Sequence, residues 1–375
     1  MERVSVNPAW AGGRAPGSAP DAAEIEAFHA SMPGFQRTPL IALPGQDGRR
    51  VFVKHERERL GLPSFKVVGA SWAIHRVVAD KCGGTVPPRF EATAAAARSL
   101  PAGMVLTTAT DGNHGRAVAH IGRRLGIACR IYVPSGMLPA RIAVIKKEGA
   151  EVTVVDGSYD DTVRRSAADA RENPHHLLVS DTSWPGYETV PSAVAAGYGT
   201  IFREAYAQLA EATGEPAAFD LAVVPAGVGA FASAAVRNLT RGEGCDVVTV
   251  EPRAADCVRR SLAAGRPVTV PGPHESIMAG LNCGEVSRVA WPVLRGGVRA
   301  AVAVSDDEVM DAMRRLADEG IAAGESGAAS LAGLAVLAED PAGVRLLSSG
   351  RHRTVLLLVT EGVTDPDAYR TIVRR

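Results

Sequence analysis

Residues 104–125 read MVLTTATDGNHGRAVAHIGRRL, and this stretch decides the fold. Met104–Thr108 is apolar and β-branched, which is typical of a buried strand. His114–Leu125 is rich in alanine and carries apolar residues at helical spacing, so a helix is predicted there. A polar turn with two glycines joins the segments. A strand, a short turn and a helix of this length form the unit from which parallel α/β folds are built.

The same alternation continues along the chain. Strands buried on both faces are predicted at Met104–Thr108, Ala128–Val133, Glu151–Val155, His176–Ser180, Leu221–Val224, Asp246–Val250 and Thr354–Val359. Helices are predicted at His114–Leu125, Ala140–Glu148, Asp160–Arg171, Phe202–Ala210, Ala230–Leu239, Ala254–Ala263 and Val309–Asp318. Ser305 and Glu308 have the spacing of a capping box that opens the last of these helices. This alternation indicates an α/β enzyme with mostly parallel sheets.

The composition excludes several classes of protein. Lys+Arg and Asp+Glu both total 41, and no basic stripe is present, so nucleic acid is not expected as a partner. The five cysteines are scattered without a CxxC pair, which argues against a metal site and against a secreted disulfide scaffold. No apolar leader and no membrane-length apolar run is seen, so we expect a cytoplasmic protein without a membrane partner.

A lysine in an unusual setting is the first candidate for chemistry. The segment Ser64-Phe65-Lys66-Val67-Val68-Gly69-Ala70 places Lys66 at a predicted helix start between an aromatic residue and small apolar residues. A solvated surface lysine is the alternative. A functional Lys66 needs a carbonyl partner, because a desolvated lysine amine forms Schiff bases readily.

Two strand-to-helix turns could bind anions. The turn Thr107–Gly115 holds a polar cluster and two glycines, although Asp111 or Asn113 could simply cap the helix. The turn Pro225–Ala230 has small residues that let the backbone close around a phosphate. It also nearly matches a dinucleotide-binding fingerprint, with Glu251 about 20 residues further on, so an NAD-dependent oxidoreductase is the main rival interpretation.

Two later segments complete the set of candidates. Thr360 follows the last strong strand and could present its hydroxyl to a ligand ring, and Gly324–Ala328 is another small-residue turn before a helix. A Schiff-base lysine, a phosphate-binding turn, a polar turn for a carboxylate and a ring-facing hydroxyl together suit pyridoxal 5'-phosphate. A hydride-transfer enzyme would not need the lysine.

The ordered motifs Ser64-Phe65-Lys66, Asp111–Gly115, Gly227–Ala230 and Thr360-Glu361-Gly362 resemble those of fold-type II pyridoxal-phosphate enzymes. Within that group the chain is most similar to the 2,3-diaminopropionate ammonia-lyase family, over nearly its whole length. The resemblance implies an α/β fold with two doubly wound, mostly parallel open sheets and flanking helices. It also implies a large discontinuous domain, 1–104 and 201–375, and a small domain, 105–200.

The resemblance implies roles for individual residues. Lys66 would carry the cofactor as a Schiff base, with further cofactor contacts from Phe65, Asn113, Gly227, Val228, Gly229, Ala230, Glu325 and Thr360. Catalysis would fall to Lys66, Asp111 and Asp181, and substrate contacts to Thr108, Asp111, Gly112, His114, Asp181 and Tyr187.

The expected reaction is α,β-elimination from 2,3-diaminopropionate, through an aminoacrylate, to pyruvate and ammonia. The alternatives are a serine or threonine dehydratase, an enzyme of β-replacement on an activated serine, or a non-catalytic cofactor-binding protein on this fold. Asp111 stands where the dehydratases usually carry serine, which favours elimination from 2,3-diaminopropionate over the dehydratase reaction. A homodimer is the family expectation. Cys257 and Cys283 sit in family-like contexts and are predicted to lie close together, with a reversible disulfide as one outcome.

Overall fold

The computed structural model describes residues 3–12, 22–46, 48–214, 218–240, 244–348 and 352–374. Its strands are β1 Val4–Val6, β2 Leu40–Gln46, β3 Arg49–His55, β4 Val105–Ala109, β5 Ala128–Pro134, β6 Glu151–Val155, β7 His176–Leu178, β8 Leu221–Pro225, β9 Asp246–Pro252, β10 Val298–Val304 and β11 Thr354–Val359.

The helices alternate with these strands. They are α1 Ala22–Ala30, α2 Lys66–Lys81, α3 Phe90–Arg98, α4 Asn113–Leu125, α5 Pro139–Lys147, α6 Tyr159–Glu172, α7 Thr189–Gly197, α8 Gly199–Thr213, α9 Ala230–Leu239, α10 Cys257–Ala264, α11 Trp291–Gly297, α12 Asp306–Asp318, α13 Glu325–Glu339, α14 Pro341–Leu347 and α15 Pro366–Val373, with a 3₁₀ turn at Ala279–Leu281. The predicted α/β class is confirmed.

The chain divides into two compact units. The first consists of Met1–Ala19, Arg37–Glu58 and Ile201–Arg375, and the second of Pro20–Gln36 and Arg59–Thr200. This division differs from the sequence-based boundaries at 20–36 and 59–104, because α2 packs against α4 and α7 of the second unit. Those boundaries describe functional domains and stay a prediction.

The first unit is built on a seven-stranded sheet in the order β1-β10-β9-β8-β11-β3-β2. Its inner strands pair in parallel, whereas β1 and β2 are antiparallel to their neighbours. The side chains of β8, β9 and β11 are buried throughout, as expected for strands covered by helices on both faces. Because β8 and β11 are parallel neighbours, Ala226 and Thr360, which follow them, lie at the same sheet edge.

The second unit is built on a four-stranded parallel sheet in the order β6-β5-β4-β7. β4 and β7 are neighbours, so the segments that follow them, beginning at Thr110 and Val179, leave the sheet at one edge. In doubly wound folds ligands bind at this carboxyl edge. The topology therefore brings Asp111 and Asp181 to the same end of the unit.

Two helix predictions show where local pattern is sufficient and where it is not. The capping box is confirmed, since Ser305 accepts from the backbone N–H of Glu308 and Glu308 accepts from that of Ser305. The helix predicted from Ala254 begins instead at Cys257. Its first N–H groups, of Val258 and Arg259, donate to the carboxylate of Glu251 at 2.7 Å each. The side chain of Glu251, on the preceding strand β9, thus places this helix start.

Candidate active site

The turn between β4 and α4 is organised by a threonine hydroxyl. Thr110 Oγ1 accepts from the backbone N–H groups of Gly112 and Gly115, both at 2.9 Å. Position 115 must be glycine, because a Cβ there would stand 2.4 Å from Thr110 Cγ2 and 2.7 Å from Ile131 Cγ2. These contacts hold the turn tightly against β5 and fix where Asp111 and Asn113 leave the backbone.

Lys66 is the first residue of α2, and its amine lies in a largely buried setting. Ser64 Oγ accepts from the backbone N–H of Lys66 at 3.2 Å, which sets the helix start. The Lys66 amine lies 5.6 Å from the centre of the Phe65 ring, and that ring packs at 4.8 Å against Tyr198. The Lys66 side chain is 18% exposed, so it is not a solvated surface lysine.

Asp181 is the ionic partner of Lys66. The Lys66 amine donates to Asp181 Oδ2 at 2.6 Å, and the Asp181 side chain is only 5% exposed. Burial, the largest single effect, would raise the pKa of Asp181, but the Lys66 charge, His114 and the hydrogen bonds from Lys66 and Tyr159 together hold this pKa below its usual value. Burial, again the largest single effect, would lower the pKa of Lys66, but the charge of Asp181, its hydrogen bond and the nearby Tyr198 and Asp111 together raise this pKa. The pair is therefore an ammonium and a carboxylate.

Asp111 is a second carboxyl group near this pair. Its burial raises its pKa to about 6, while the charges of Lys66 and Arg141 act in the opposite direction. A carboxyl group with a pKa near the working pH is suited to general base catalysis. The two aspartates thus differ: Asp181 stays ionised, and Asp111 titrates near neutrality.

Two residues predicted to contact the substrate, His114 and Tyr187, form hydrogen bonds with the protein backbone. His114 is buried, and its Nε2 lies 2.7 Å from the carbonyl oxygen of Val179. The Tyr187 hydroxyl donates to Leu178 O at 2.8 Å and accepts from the backbone N–H of Ser180 at 3.0 Å. Both side chains hold the segment that carries Asp181. Thr108 is fully buried.

The second group of candidates belongs to the first unit. The turn 226–229 follows β8, and α9 begins at Ala230, so the first N–H groups of α9 have no partner within the helix. Gly229 has a φ of +89°, and a Cβ there would stand 2.6 Å from Leu294 Cδ1. A Cβ at Gly227 would lie 3.1 Å from Cys283 Sγ. The backbone and the close contact at Gly229 require glycine there, and Gly227 leaves little room for a side chain.

Thr360 and the Gly324–Ala328 segment meet in the same unit. Thr360 Oγ1 lies 3.5 Å from Ser326 O, and Glu361 Oε1 accepts from the backbone N–H of Ser326 at 3.0 Å. A Cβ at Gly327 would stand 2.5 Å from Glu361 O, which explains that glycine. Glu325 opens α13 and is buried. Two segments that the sequence suggested separately are therefore packed together.

The two cysteines of interest both lie against Gly227. Cys257 Sγ is 3.8 Å from Gly227 O, and Cys283 Sγ is the atom nearest to a Cβ at that residue. Both side chains are buried and no disulfide joins them in the structure.

The rival dinucleotide site is not supported. Both carboxylate oxygens of Glu251 accept backbone N–H groups of α10, as described above, so they are not directed at a ribose.

Sequence reasoning missed two residues at the candidate site. Thr110 lies inside the Thr107–Gly115 turn. Its role depends on hydrogen bonds from the backbone N–H groups of Gly112 and Gly115 to its hydroxyl, which the sequence pattern does not predict. Tyr159 lies far from every motif, yet its hydroxyl donates to Asp181 Oδ1 at 3.2 Å. No signal in the sequence singles it out.

The residues present fit pyridoxal phosphate. Lys66 is a largely buried primary amine, the group that forms a Schiff base with an aldehyde, and Asp181 holds that amine in place. The turn of Gly227 and Gly229 at the start of α9 offers backbone N–H groups and the positive end of a helix dipole, which suit a phosphate. Among the described residues no cluster of side chains could hold a metal ion, and no helix is long and apolar enough to cross a bilayer.

Comparisons with known proteins agree with this fit. Residues 32–359 match the model of the pyridoxal-phosphate-dependent enzyme family. The diaminopropionate ammonia-lyase of Salmonella typhimurium is 35% identical over 93% of this chain and 91% of its own. The Escherichia coli diaminopropionate ammonia-lyase, in a crystal structure with an aminoacrylate–PLP azomethine reaction intermediate, superposes with a TM-score of 0.85 at 31% identity, covering 99% of this chain and 96% of that one. The phenylserine dehydratase of Ralstonia pickettii is 32% identical over 57% of this chain and 61% of its own.

Proposed function

Because the chain belongs to the pyridoxal-phosphate-dependent enzymes, we propose that it is a lyase that converts 2,3-diaminopropionate to pyruvate and ammonia by α,β-elimination. Its cofactor is pyridoxal 5'-phosphate, which when bound withdraws electrons from the substrate Cα and makes its proton acidic. The single observation that carries the proposal is the buried ion pair of Lys66 and Asp181 beside the turn that bears Asp111. The similarity to diaminopropionate ammonia-lyases supports the choice of substrate.

We propose the same cofactor contacts that the sequence analysis names. Lys66 would bind the cofactor aldehyde, and the backbone N–H groups of the Gly227–Ala230 turn would bind its phosphate. Further contacts would come from Phe65, Asn113, Glu325 and Thr360. A neutral threonine hydroxyl beside the ring, in place of a carboxylate, favours elimination over transamination.

Two groups are proposed to move the Cα proton. Asp111 belongs to the Thr108–His114 turn, and the charge of the Lys66 amine acts on it. The substrate carboxylate would bind to this turn through Thr108 and Gly112. With a pKa of about 6, Asp111 is largely ionised at neutral pH and can accept a proton. Bases on opposite faces of Cα would let both enantiomers react.

Asp181 is proposed to act on the leaving group. The β-amino group must leave as ammonia from its protonated form, and an ionised carboxylate stabilises that cation. In this structure Asp181 already binds a primary ammonium, that of Lys66, at 2.6 Å. A hydroxyl leaving group carries no such charge.

A dehydratase of hydroxy amino acids is the second candidate. The likeness to phenylserine dehydratase favours it, but the match covers less of the chain, and the Asp111 carboxylate replaces the dehydratase serine. We also propose a homodimer, on the family resemblance alone, and the cytoplasmic location that the sequence analysis expects.

Release of pyruvate tests the proposal. The purified holoenzyme is given D- and L-2,3-diaminopropionate, serine and threonine, and pyruvate and 2-oxobutyrate are measured. We expect the fastest turnover with 2,3-diaminopropionate. Lys66→Ala should lose the visible absorption of the lysine-bound cofactor and lower kcat at least about a hundredfold.

Lys81→Ala is the matched control, because Lys81 is the exposed last residue of the same helix. It should behave as the wild type does. Preferential turnover of serine or threonine would instead establish the dehydratase, and an unchanged spectrum of Lys66→Ala would remove the anchoring role.

A further inference from the structure

Asp181 is held through both of its carboxylate oxygens. Oδ2 accepts from the Lys66 amine at 2.6 Å, and Oδ1 accepts from the Tyr159 hydroxyl at 3.2 Å. The carboxylate therefore has little freedom to rotate, and it presents Oδ2 as the oxygen that binds a primary ammonium.

Local structure fixes the position of Tyr159. It is the first residue of α6, directly after Ser158, whose hydroxyl and backbone form a capping box with Asp161. The Tyr159 ring packs with Val155 and Trp184 against a small buried cluster. A capped helix start and a packed ring leave the hydroxyl pointing at Asp181.

His114 presents a hydrogen-bond acceptor beside the same oxygen. A carbonyl can only accept, so His114 Nε2, at 2.7 Å from Val179 O, must carry the proton. Burial lowers the pKa of His114, so the ring is neutral near pH 7 and Nδ1 bears a lone pair. Nδ1 lies 3.9 Å from Asp181 Oδ2 and, within the part of the chain that the structure describes, has no hydrogen-bond partner.

We propose that His114 Nδ1 and Asp181 Oδ2 form an acceptor pair that selects a primary ammonium as the leaving group, and that Tyr159 is the positioning residue that holds Asp181 for it. This inference rests on the proposed function and deepens it, because it names the chemistry that separates a β-ammonium from a β-hydroxyl.

The chemistry of the two groups explains the selection. A primary ammonium has three N–H donors and no acceptor, whereas a hydroxyl has one donor. One nitrogen at about 2.9 Å from each acceptor spans a separation of 3.9 Å. A hydroxyl can donate to only one of the two acceptors and leaves the other buried without a hydrogen bond. That unpaired acceptor costs free energy, so the site binds the hydroxyl more weakly.

Three variants test the proposal. Tyr159→Phe removes only the hydroxyl, and His114→Asn replaces the ring. Tyr132→Phe is the matched control, because the Tyr132 hydroxyl also donates to an aspartate, Asp169, in the same cluster but away from Asp181. The measured quantity is the ratio of kcat/KM for 2,3-diaminopropionate to that for serine.

We expect Tyr159→Phe and His114→Asn to lower this ratio about tenfold or more, because kcat/KM for 2,3-diaminopropionate falls while that for serine does not. Tyr132→Phe should leave the ratio unchanged. An equal loss with both substrates would mean a merely structural role and would overturn the proposal. Full retention of the ratio in both variants would overturn it as well.

A second readout does not depend on turnover. ¹⁵N NMR of the cofactor-free protein, with the His114 signals assigned by their loss in His114→Asn, should show a protonated Nε2 and a non-protonated Nδ1. A proton on Nδ1 would contradict the acceptor pair. If the wild type released no pyruvate from 2,3-diaminopropionate, the proposed function would fail on its own. Affinities for 2,3-diaminopropionate and serine, measured by calorimetry in the same variants, would then test the acceptor pair. An unchanged ratio of the two affinities would overturn it.

Discussion

Asp111 shows how burial prepares a single residue for chemistry. Its environment raises its pKa from 3.8 to about 6, mainly through burial, against the effect of Lys66 and Arg141. The folded protein thus holds more protons on this group than the unfolded chain does between about pH 4 and pH 6. Since protonated Asp111 is favoured by folding, the wild type loses stability as the pH rises through this window.

Replacing Asp111 by Asn should separate activity from stability. We expect kcat to fall about 10²- to 10⁴-fold, more for one enantiomer of the substrate than for the other, with cofactor content preserved. In the wild type, kcat/KM should decline as the pH falls below about 6, because the base becomes protonated. Pre-steady-state and pH-rate measurements with each enantiomer check this. Equal losses for both enantiomers would argue against bases on opposite faces.

The effect of Asp111→Asn on stability is measured separately, as the melting temperature of the cofactor-free protein. Asp111→Asn should be more stable than the wild type at pH 8, where the partly buried Asp111 of the wild type is ionised. The advantage should shrink at pH 5, where Asp111 is largely protonated in the folded state.

At the scale of elements, close packing of α2 on α7 fixes the helix that carries Lys66. A Cβ at Gly69 would stand 2.3 Å from Tyr198 Cε1 and 2.8 Å from Val194 O. A Cβ at Gly197 would stand 2.6 Å from Val68 O. Glycine at both contact points lets the helices approach, and Tyr198 in turn packs on Phe65, the residue before Lys66.

Gly69→Ala should therefore push α2 away from α7. We expect a loss of about 1–3 kcal/mol in the free energy of unfolding, because the added methyl group meets backbone and ring atoms that cannot yield. Urea denaturation measures it. Gly136→Ala is the control, since Gly136 lies in the same unit, is exposed and has no atom within 4 Å of the position that an added methyl group would take. Similar midpoints for both variants would show that the interface relaxes.

For the molecule as a whole, stability should depend on the cofactor. A ligand that binds only the folded state stabilises it by about 2.7 kcal/mol at a free concentration one hundred times its dissociation constant. We expect removal of pyridoxal phosphate with hydroxylamine to lower the Tm and its readdition to restore it. Pyridoxal, which lacks the phosphate, should restore less, because the turn at Gly229 then has no anion to bind.

Gly229→Ala should narrow the difference in Tm between pyridoxal phosphate and pyridoxal. The control is Gly265→Ala, which shares a left-handed backbone, with φ of +67°, but has open space around it. Equal effects of the two ligands on the wild type would remove the phosphate-binding role of this turn.

Much of the architecture follows from local pattern. The sequence predicts the strands around Thr107, Ile131, Val223 and Leu357 within a residue or two of their observed bounds, because buried parallel strands are continuous apolar runs. It does not predict β1, β2, β3 and β10. Of these, β1 and β2 are antiparallel edge strands whose place depends on neighbours remote in the chain.

The sequence by itself determined the class of fold, the glycine turns and the lysine, because each depends on a short run of residues and on backbone geometry. Only the tertiary structure decided that Lys66 pairs with Asp181, 115 residues away, and that Tyr159 holds the second oxygen of that carboxylate. Those contacts depend on strand order and register, which bring distant segments to one edge of a sheet. Strand order cannot be predicted from local secondary-structure propensity.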